Sequence, residues 1–308
     1  MNKDSPLVYI VMPCYNWEKY LLEQLMSIYH QNYTNWYLIF VNDWSTDNSE
    51  NILRDFISHY NLYSKVKVIN KDNGGVNSAI NVWLSEVKKV CNLKSPDCLV
   101  AYCDSDDIWT REKLSVQVDY MMHNNYGLSY HDVVIIDENS EILQSSMLKS
   151  VYYKWESFFA VACFWVHFYS TEMMFRPEYI DLILPLPEWF TIGQDLWTWL
   201  VLSIINVRIW FIDKTLAYYR KQKNSLSNKS KWIENAKQRV KYFTLVWERV
   251  KKDVTYEYNY YSDRWINWIS CWYSLVRVYL LMFLKYPKVF FVYIRVFFYE
   301  KILVKFMK

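Results

Sequence analysis

The sequence predicts an α/β protein built on a mostly parallel central sheet with helices on both faces. Three observations carry that expectation. From Leu7 to about Asp104, short β-branched or aromatic runs alternate with longer helical segments, the pattern of parallel strands joined by crossover helices. The runs WYLIFV and CLVAYC are apolar without alternation, as strands buried on both faces require. All four strand-like runs end in polar residues, and open sheets of this kind collect ligands at the carboxyl ends of their strands.

In chain order, LVYIVMP reads as the first strand, EKYLLEQLMSIYHQ as a helix, WYLIFVND as a strand and SENILRDFISHY as a helix. KVKVIN, VNSAINVWLSEVKK and DCLVAYCD continue the alternation as strand, helix and strand. A helix follows over about Thr110 to Asn124, then the strand-like SYHDVVIID, a looser segment from about Ser140 to Tyr169, and the strand-like TEMMFRP. A helix at Gln194 to Asn206 and two strands, VRIWFID and TLAYYR, complete this part, and the chain reads as all helical from about Lys229. A boundary near Ser227 divides 1–227 from 228–308.

Bulk properties narrow the functional classes. With 308 residues, 53% hydrophobic, the chain suffices for one large domain or one with a smaller appendage. Only 4 Gly exclude long glycine linkers. A net charge of +3 is too small to indicate nucleic acid. The six cysteines form no CxxC pair and no zinc or disulfide spacing, and read as buried thiols of a cytosolic protein. Pro13 and the lack of a small-residue cleavage site argue against a signal peptide.

The chemistry concentrates at the strand ends. In AYCDSDDIW, Asp104, Asp106 and Asp107 crowd like charge after a buried run, an arrangement that is costly unless a cation neutralises it. Mg²⁺ or Mn²⁺ does so, held by one or two carboxylates while substrate phosphates complete the shell. The plainer reading is a helix start, where acids face the positive dipole end. In VNDWSTDNSENI, Asp47 and Glu50 have capping-box spacing, whereas Asp43 has no such duty and can accept a hydrogen bond from a base. In NKDNGGVNSAIN, Asn73, Gly74 and Gly75 precede a helix, where the backbone can approach a ligand closely.

Together VYIVMPCYNWEKYLLEQLMSI, IFVNDWSTDNSENIL, NGGVNSAIN and AYCDSDDIW resemble the N-terminal half of family 2 glycosyltransferases of the GT-A fold. The likeness covers about the first 110 residues and continues more loosely through MMFRPEYI, GQDLWTWL and YYRKQKNSLS. It implies a Rossmann-like nucleotide-sugar-binding domain over 1–227, with 1–107 the nucleotide half and 108–227 the acceptor half. Pro13, Tyr15, Asn16, Asp43, Asn73, Gly74 and Asp104 fall on nucleotide-binding positions, Asp43 at the one that contacts a pyrimidine base. Asp106, with Asp104, matches the DxD metal motif, and Asp195 in GQDLW occupies the position of the catalytic base. Its plainer reading is the cap of the helix that follows.

The resemblance implies an inverting transfer from a UDP- or dTDP-sugar to a lipid-linked saccharide in cell-surface glycan synthesis, on the cytoplasmic face of the inner membrane. Departures are visible. Ile80 and Gln222 stand where many relatives carry Arg and His, and Trp44 replaces a small residue, leaving Arg220, Lys221 or Lys223 to neutralise the phosphates. His131, His167 and Glu172 are acceptor-side candidates, a buried partnered histidine being the plainer reading for the first two.

From Trp265 on, aromatic and aliphatic surface is interrupted by Arg277, Lys285, Lys288, Arg295, Lys301, Lys305 and Lys308, with Glu300 the one acid. The longest uncharged stretch, Trp265 to Val276, is shorter than the ~20 residues a bilayer needs. Amphipathic helices lying on a membrane surface fit this pattern; packing on the catalytic domain or a homo-oligomer contact is the other reading. A processive synthase is disfavoured by the lack of QxxRW, Tyr261 standing where Gln would be. The remaining alternative is a non-catalytic member that binds nucleotide-sugar or membrane.

Overall fold

The structure is a computed structural model that describes residues 5–124, 126–146, 169–188, 194–204 and 207–222. The chain divides into two compact units, Met1–Tyr152 with His167–Thr198 and Val207–Leu226, and Tyr153–Val166 with Trp199–Asn206 and Ser227–Lys308. Nearly all described residues lie in the first. The second contributes to them the end of one helix, and the C-terminal amphipathic helices expected from the sequence fall outside the described residues.

The first half follows the expected alternation: β1 (Leu7–Cys14), α1 (Leu21–Tyr29), β2 (Trp36–Asn42), α2 (Ser49–His59), β3 (Val66–Asn70), α3 (Val76–Val90) and β4 (Cys98–Tyr102). Strand β1 lies between β2 and β4, parallel to both, and β3 extends the sheet beyond β2. Because side chains alternate across a strand, Val8, Ile10, Met12, Leu38, Phe40, Leu99 and Ala101 face one side, where they pack with Leu21, Leu25 and Ile28 of α1 and Leu53 and Phe56 of α2. The other face is covered by α3, whose fully buried Trp83 meets the Tyr102 ring at 6.0 Å.

After β4 come β5 (Ile108–Trp109), α4 (Lys113–His123), β6 (Leu128–Ile136), β7 (Ile142–Gln144), β8 (Met174–Phe175), α5 (Ile180–Ile183), α6 (Gln194–Ile204) and β9 (Ile209–Arg220). The described strands form one sheet in the order β3-β2-β1-β4-β8-β6-β9-β5, with β7 on β6. Parallel pairing holds from β3 to β4 and again between β6 and β9, while β8, β5 and β7 pair antiparallel.

The structure corrects several expectations. VRIWFID and TLAYYR are one continuous strand, because register shifts against His131, Asp132 and Val133 let exposed Asp213 and Lys214 bulge out without breaking the pairing with β6. TEMMFRP is strand only at Met174 and Phe175, and its first two residues close a 3-10 turn, Ser170–Glu172. Cys91 and Cys98 are joined as a disulfide that their spacing did not mark, and Cys14 and Cys103 are free and buried.

Candidate functional site

The carboxyl ends of β1, β2 and β4 are adjacent because those strands are neighbours in the sheet. At the end of β1, the carbonyl of Pro13 accepts a hydrogen bond from the Ser105 hydroxyl at 2.8 Å, tying it to the acidic loop. Tyr15 is exposed. Asn16 adopts φ 60° and joins two loops: its amide donates to Ser45 Oγ at 3.1 Å and its Oδ1 accepts from the Thr46 amide at 2.7 Å.

Asp43 is buried at the end of β2. Its Oδ1 accepts from Lys71 Nζ at 2.6 Å and the Gly74 amide at 3.0 Å, and its Oδ2 from the Gly75 amide at 2.8 Å. Asn73 Nδ2 donates to the Asp43 carbonyl at 3.1 Å. Asp43, Asn73 and Gly74, expected together from the sequence, are therefore together, and Lys71 is an addition the sequence reading missed. Trp44, at φ 65°, stands 59% exposed beside them.

Asp47 accepts from the Ser49 and Glu18 amides, which holds its carboxyl below the ordinary value. Glu50, the other half of the expected capping box, turns instead to Arg54 and Asn70.

The three acids after β4 take different roles. Asp107 is buried, with Oδ1 accepting from the Arg220 amide at 3.0 Å. Asp106 Oδ2 accepts from Gln222 Nε2 at 2.9 Å. Asp104 accepts from the Ser170 hydroxyl. Burial raises all three carboxyls; Asp106 is pushed up to about 7, first by burial and then by the charge of Asp104. Carboxylates crowded this way resist ionisation until positive charge arrives.

No three metal-ligating side chains assemble among the described residues. Asp104 and Asp106 nevertheless supply hard oxygen donors, and Mg²⁺ or Mn²⁺ is commonly held by one or two carboxylates with substrate oxygens completing the shell. The donor set fits such an ion.

Arg220 does not face a ligand. Only 1% exposed, its guanidinium donates to the Asp106 and Asp137 carbonyls at 2.8 and 3.1 Å, to Ser140 Oγ at 2.9 Å and to Glu23 at 2.6 Å, and it lies over the Tyr20 ring. It clamps the acidic loop from behind. Lys221 is exposed next to it, with its amide donating to the Ile136 carbonyl. Lys223 and His167 lie outside the described residues.

Asp195 sits in the first turn of α6, where its Oδ1 accepts from the Leu196 amide at 2.6 Å. Helix α6 is fixed to β4 by a 3.0 Å contact between Thr198 Oγ1 and the Tyr102 hydroxyl. His131 and Glu172, expected on the acceptor side, are both 0% exposed. They share a buried polar cluster with Lys113 and Gln117, whose Nε2 donates to the Glu172 carbonyl at 3.0 Å. Burial drives the Glu172 carboxyl well up and the His131 imidazole well down.

Comparisons with known proteins bear on the family and the fold. The model of glycosyl transferase family 2 matches residues 9–183. TuaG, a Bacillus subtilis glycosyltransferase named for teichuronic acid biosynthesis, is 25% identical over 236 residues, spanning 75% of this chain and 85% of its own. The Escherichia coli UDP-Glc:alpha-D-GlcNAc-diphosphoundecaprenol beta-1,3-glucosyltransferase WfgD is 32% identical over 138 residues, 44% of this chain and 49% of its own. Among solved structures, S. aureus TarS 1–349 in complex with UDP-GlcNAc superposes with a TM-score of 0.58 at 17% identity, covering 94% of this chain and 90% of that one. The mannosyltransferase PcManGT of Pyrobaculum calidifontis, with GDP-Man and Mn²⁺, also gives 0.58, at 15% identity over 95% and 86%. The two structures speak for the GT-A type of fold, and the family model spans more than half of the sequence: the chain belongs to glycosyl transferase family 2.

Proposed function

We propose that this protein transfers a sugar, with inversion, from a UDP- or dTDP-sugar to a lipid-linked saccharide during cell-surface glycan synthesis. The observation that carries the reading is that Asp104 and Asp106 follow the end of β4 and that a helix with Asp195 in its first turn is keyed to that same strand. The names of TuaG and WfgD support the glycan class, and WfgD's name supports a diphosphate-lipid acceptor.

In this reading Asp106 and Asp104 hold a divalent cation, which when bound offsets the charge that develops on the departing nucleoside diphosphate. Pro13, Tyr15, Asn16, Asp43, Asn73 and Gly74 form the nucleotide side, the buried Asp43 ordering the glycine loop through its two amides. Ser170 and Gln222 orient the two metal-side carboxylates. Asp195 accepts the proton of the attacking hydroxyl on the opposite face of the sugar, so a single displacement inverts the anomeric centre. The segment 228–308 holds the protein at the cytoplasmic membrane surface, near its acceptor.

The test is nucleotide release from a panel of sugar nucleotides with Mn²⁺, with and without EDTA, in wild type, Asp106→Asn and Asp195→Asn. EDTA abolishes turnover in this reading, and loss of the general base costs roughly 10²- to 10⁴-fold. Activity that survives EDTA and both substitutions sinks it.

A further inference from the structure

We propose that Ser170, Gln194 and Thr198 are positioning residues, whose buried hydrogen bonds tie the helix carrying Asp195 to Asp104 and to the end of β4. The inference rests on the roles given above to Asp104 and Asp195.

Proton counting sets the direction of the chain. Thr198 Oγ1 donates its one hydrogen to the Gln194 carbonyl at 2.9 Å, so at its 3.0 Å contact with Tyr102 it accepts. The Ser170 hydroxyl donates to Asp104, so Gln194 Nε2, 3.3 Å away, donates to Ser170. Two links result: Tyr102 donates to Thr198, whose own hydrogen goes to the main-chain carbonyl of Gln194, and the Gln194 side-chain amide donates to Ser170, which donates to Asp104. Both join the end of β4 to the first turn of α6.

Tyr102, Thr198, Gln194 and Ser170 are 2%, 0%, 8% and 3% exposed, so bulk water does not readily replace a broken link. The main-chain carbonyl and the side-chain amide of Gln194 are separated by saturated carbons, so the two links act as separate restraints on the same turn, each leaving a buried polar group without its partner when it is broken. Order in the first turn of α6 thus depends on both the Asp104 and the Tyr102 contacts. Asp106, two residues further on, receives Gln222 from the end of β9 and has no link in this chain. The acidic loop and the helix carrying Asp195 are thereby coupled through buried side chains.

Hydrogen exchange by mass spectrometry on the full chain reads this directly. Ser170→Ala, Thr198→Val and Asp104→Asn each raise exchange in the peptide 194–204 by about fivefold or more, while the β1 peptide 7–14 is unchanged. Ser170→Thr, which keeps the hydroxyl, restores protection, and Asp106→Asn leaves the 194–204 rate within about twofold of wild type. In turnover of the donor found in the panel, Thr198→Val lowers kcat and leaves the donor KM unchanged. Unaltered exchange at 194–204 in Ser170→Ala, or Asp106→Asn loosening the helix as much as Asp104→Asn, overturns the proposal. Exchange needs no turnover, so failure of the catalytic reading, seen as an Asp195→Asn variant as active as wild type, is distinguished from failure of the chain.

Discussion

Single side chains in this protein divide sharply between those that hold the site and those left to act in it. Arg220 spends its guanidinium on two carbonyls, a hydroxyl and Glu23, and so shapes the acidic loop without meeting solvent. Lys113 is a second buried cation, 0% exposed and 4.2 Å from the centroid of Trp109. Burial lowers its ammonium from 10.5 to about 7. Below pH 7 the folded and unfolded chains both carry the charge, and its burial costs stability in full. Between about 7 and 10.5 the unfolded chain holds the extra proton, so this group makes stability rise with pH. In Lys113→Met that contribution disappears, and urea midpoints from pH 7 to 10 show a pH slope shallower than wild type by up to about 1.4 kcal/mol per pH unit. An unchanged slope means the lysine is not titrating in that window.

Elements place these groups because each functional loop leaves a strand whose position the sheet dictates. The glycine loop before α3 is the clearest case. Gly75 caps that helix at φ 82° and ψ 171°, a conformation nearly closed to other residues, while its amide donates to Asp43. A Cβ at Gly74 would meet Ser78 Oγ at 2.6 Å. Gly75→Ala is expected to cost roughly 1–3 kcal/mol from backbone strain, read as a lowered Tm, and to weaken UDP binding in calorimetry by disturbing the loop that Asp43 organises. A variant with wild-type Tm and UDP affinity contradicts that role. These strand ends were legible in the sequence because pattern and turn residues are local. β5, two residues long, was not, since so short a strand carries no periodicity and exists only through its antiparallel partner, and β8 is the two-residue remainder of the longer strand expected over TEMMFRP.

At the scale of the whole molecule, the sheet joins a parallel half, β3 to β4, to a mixed half from β8 to β5, and the acidic loop leaves it where the two meet. Among the described residues no helix is long and apolar enough to cross a membrane. The basic, aromatic segment past residue 260 lies outside those residues, and its assignment to the membrane surface is a proposal from its sequence, with a direct check. Truncation after about Tyr256 moves the protein from the membrane fraction to the soluble fraction; unchanged association sinks the assignment.

By itself the sequence determined the α/β alternation of the first 107 residues, the polar strand ends and the acid cluster, because each is written in neighbouring residues. Tertiary structure decided which acid does what. Arg220 reads as a free phosphate-binding cation until the fold brings Glu23, 197 positions away, to its guanidinium. Glu172 reads as an acceptor-side candidate, and His131 more plainly as a buried histidine, before α4, β6 and the turn before β8 enclose both. Ser170 and Gln194 carried no sequence signal, since their partners lie 66 and 24 positions away. Burial and long-range hydrogen bonding are properties of the packed chain, and only packing separates a side chain committed to the fold from one left for the substrate.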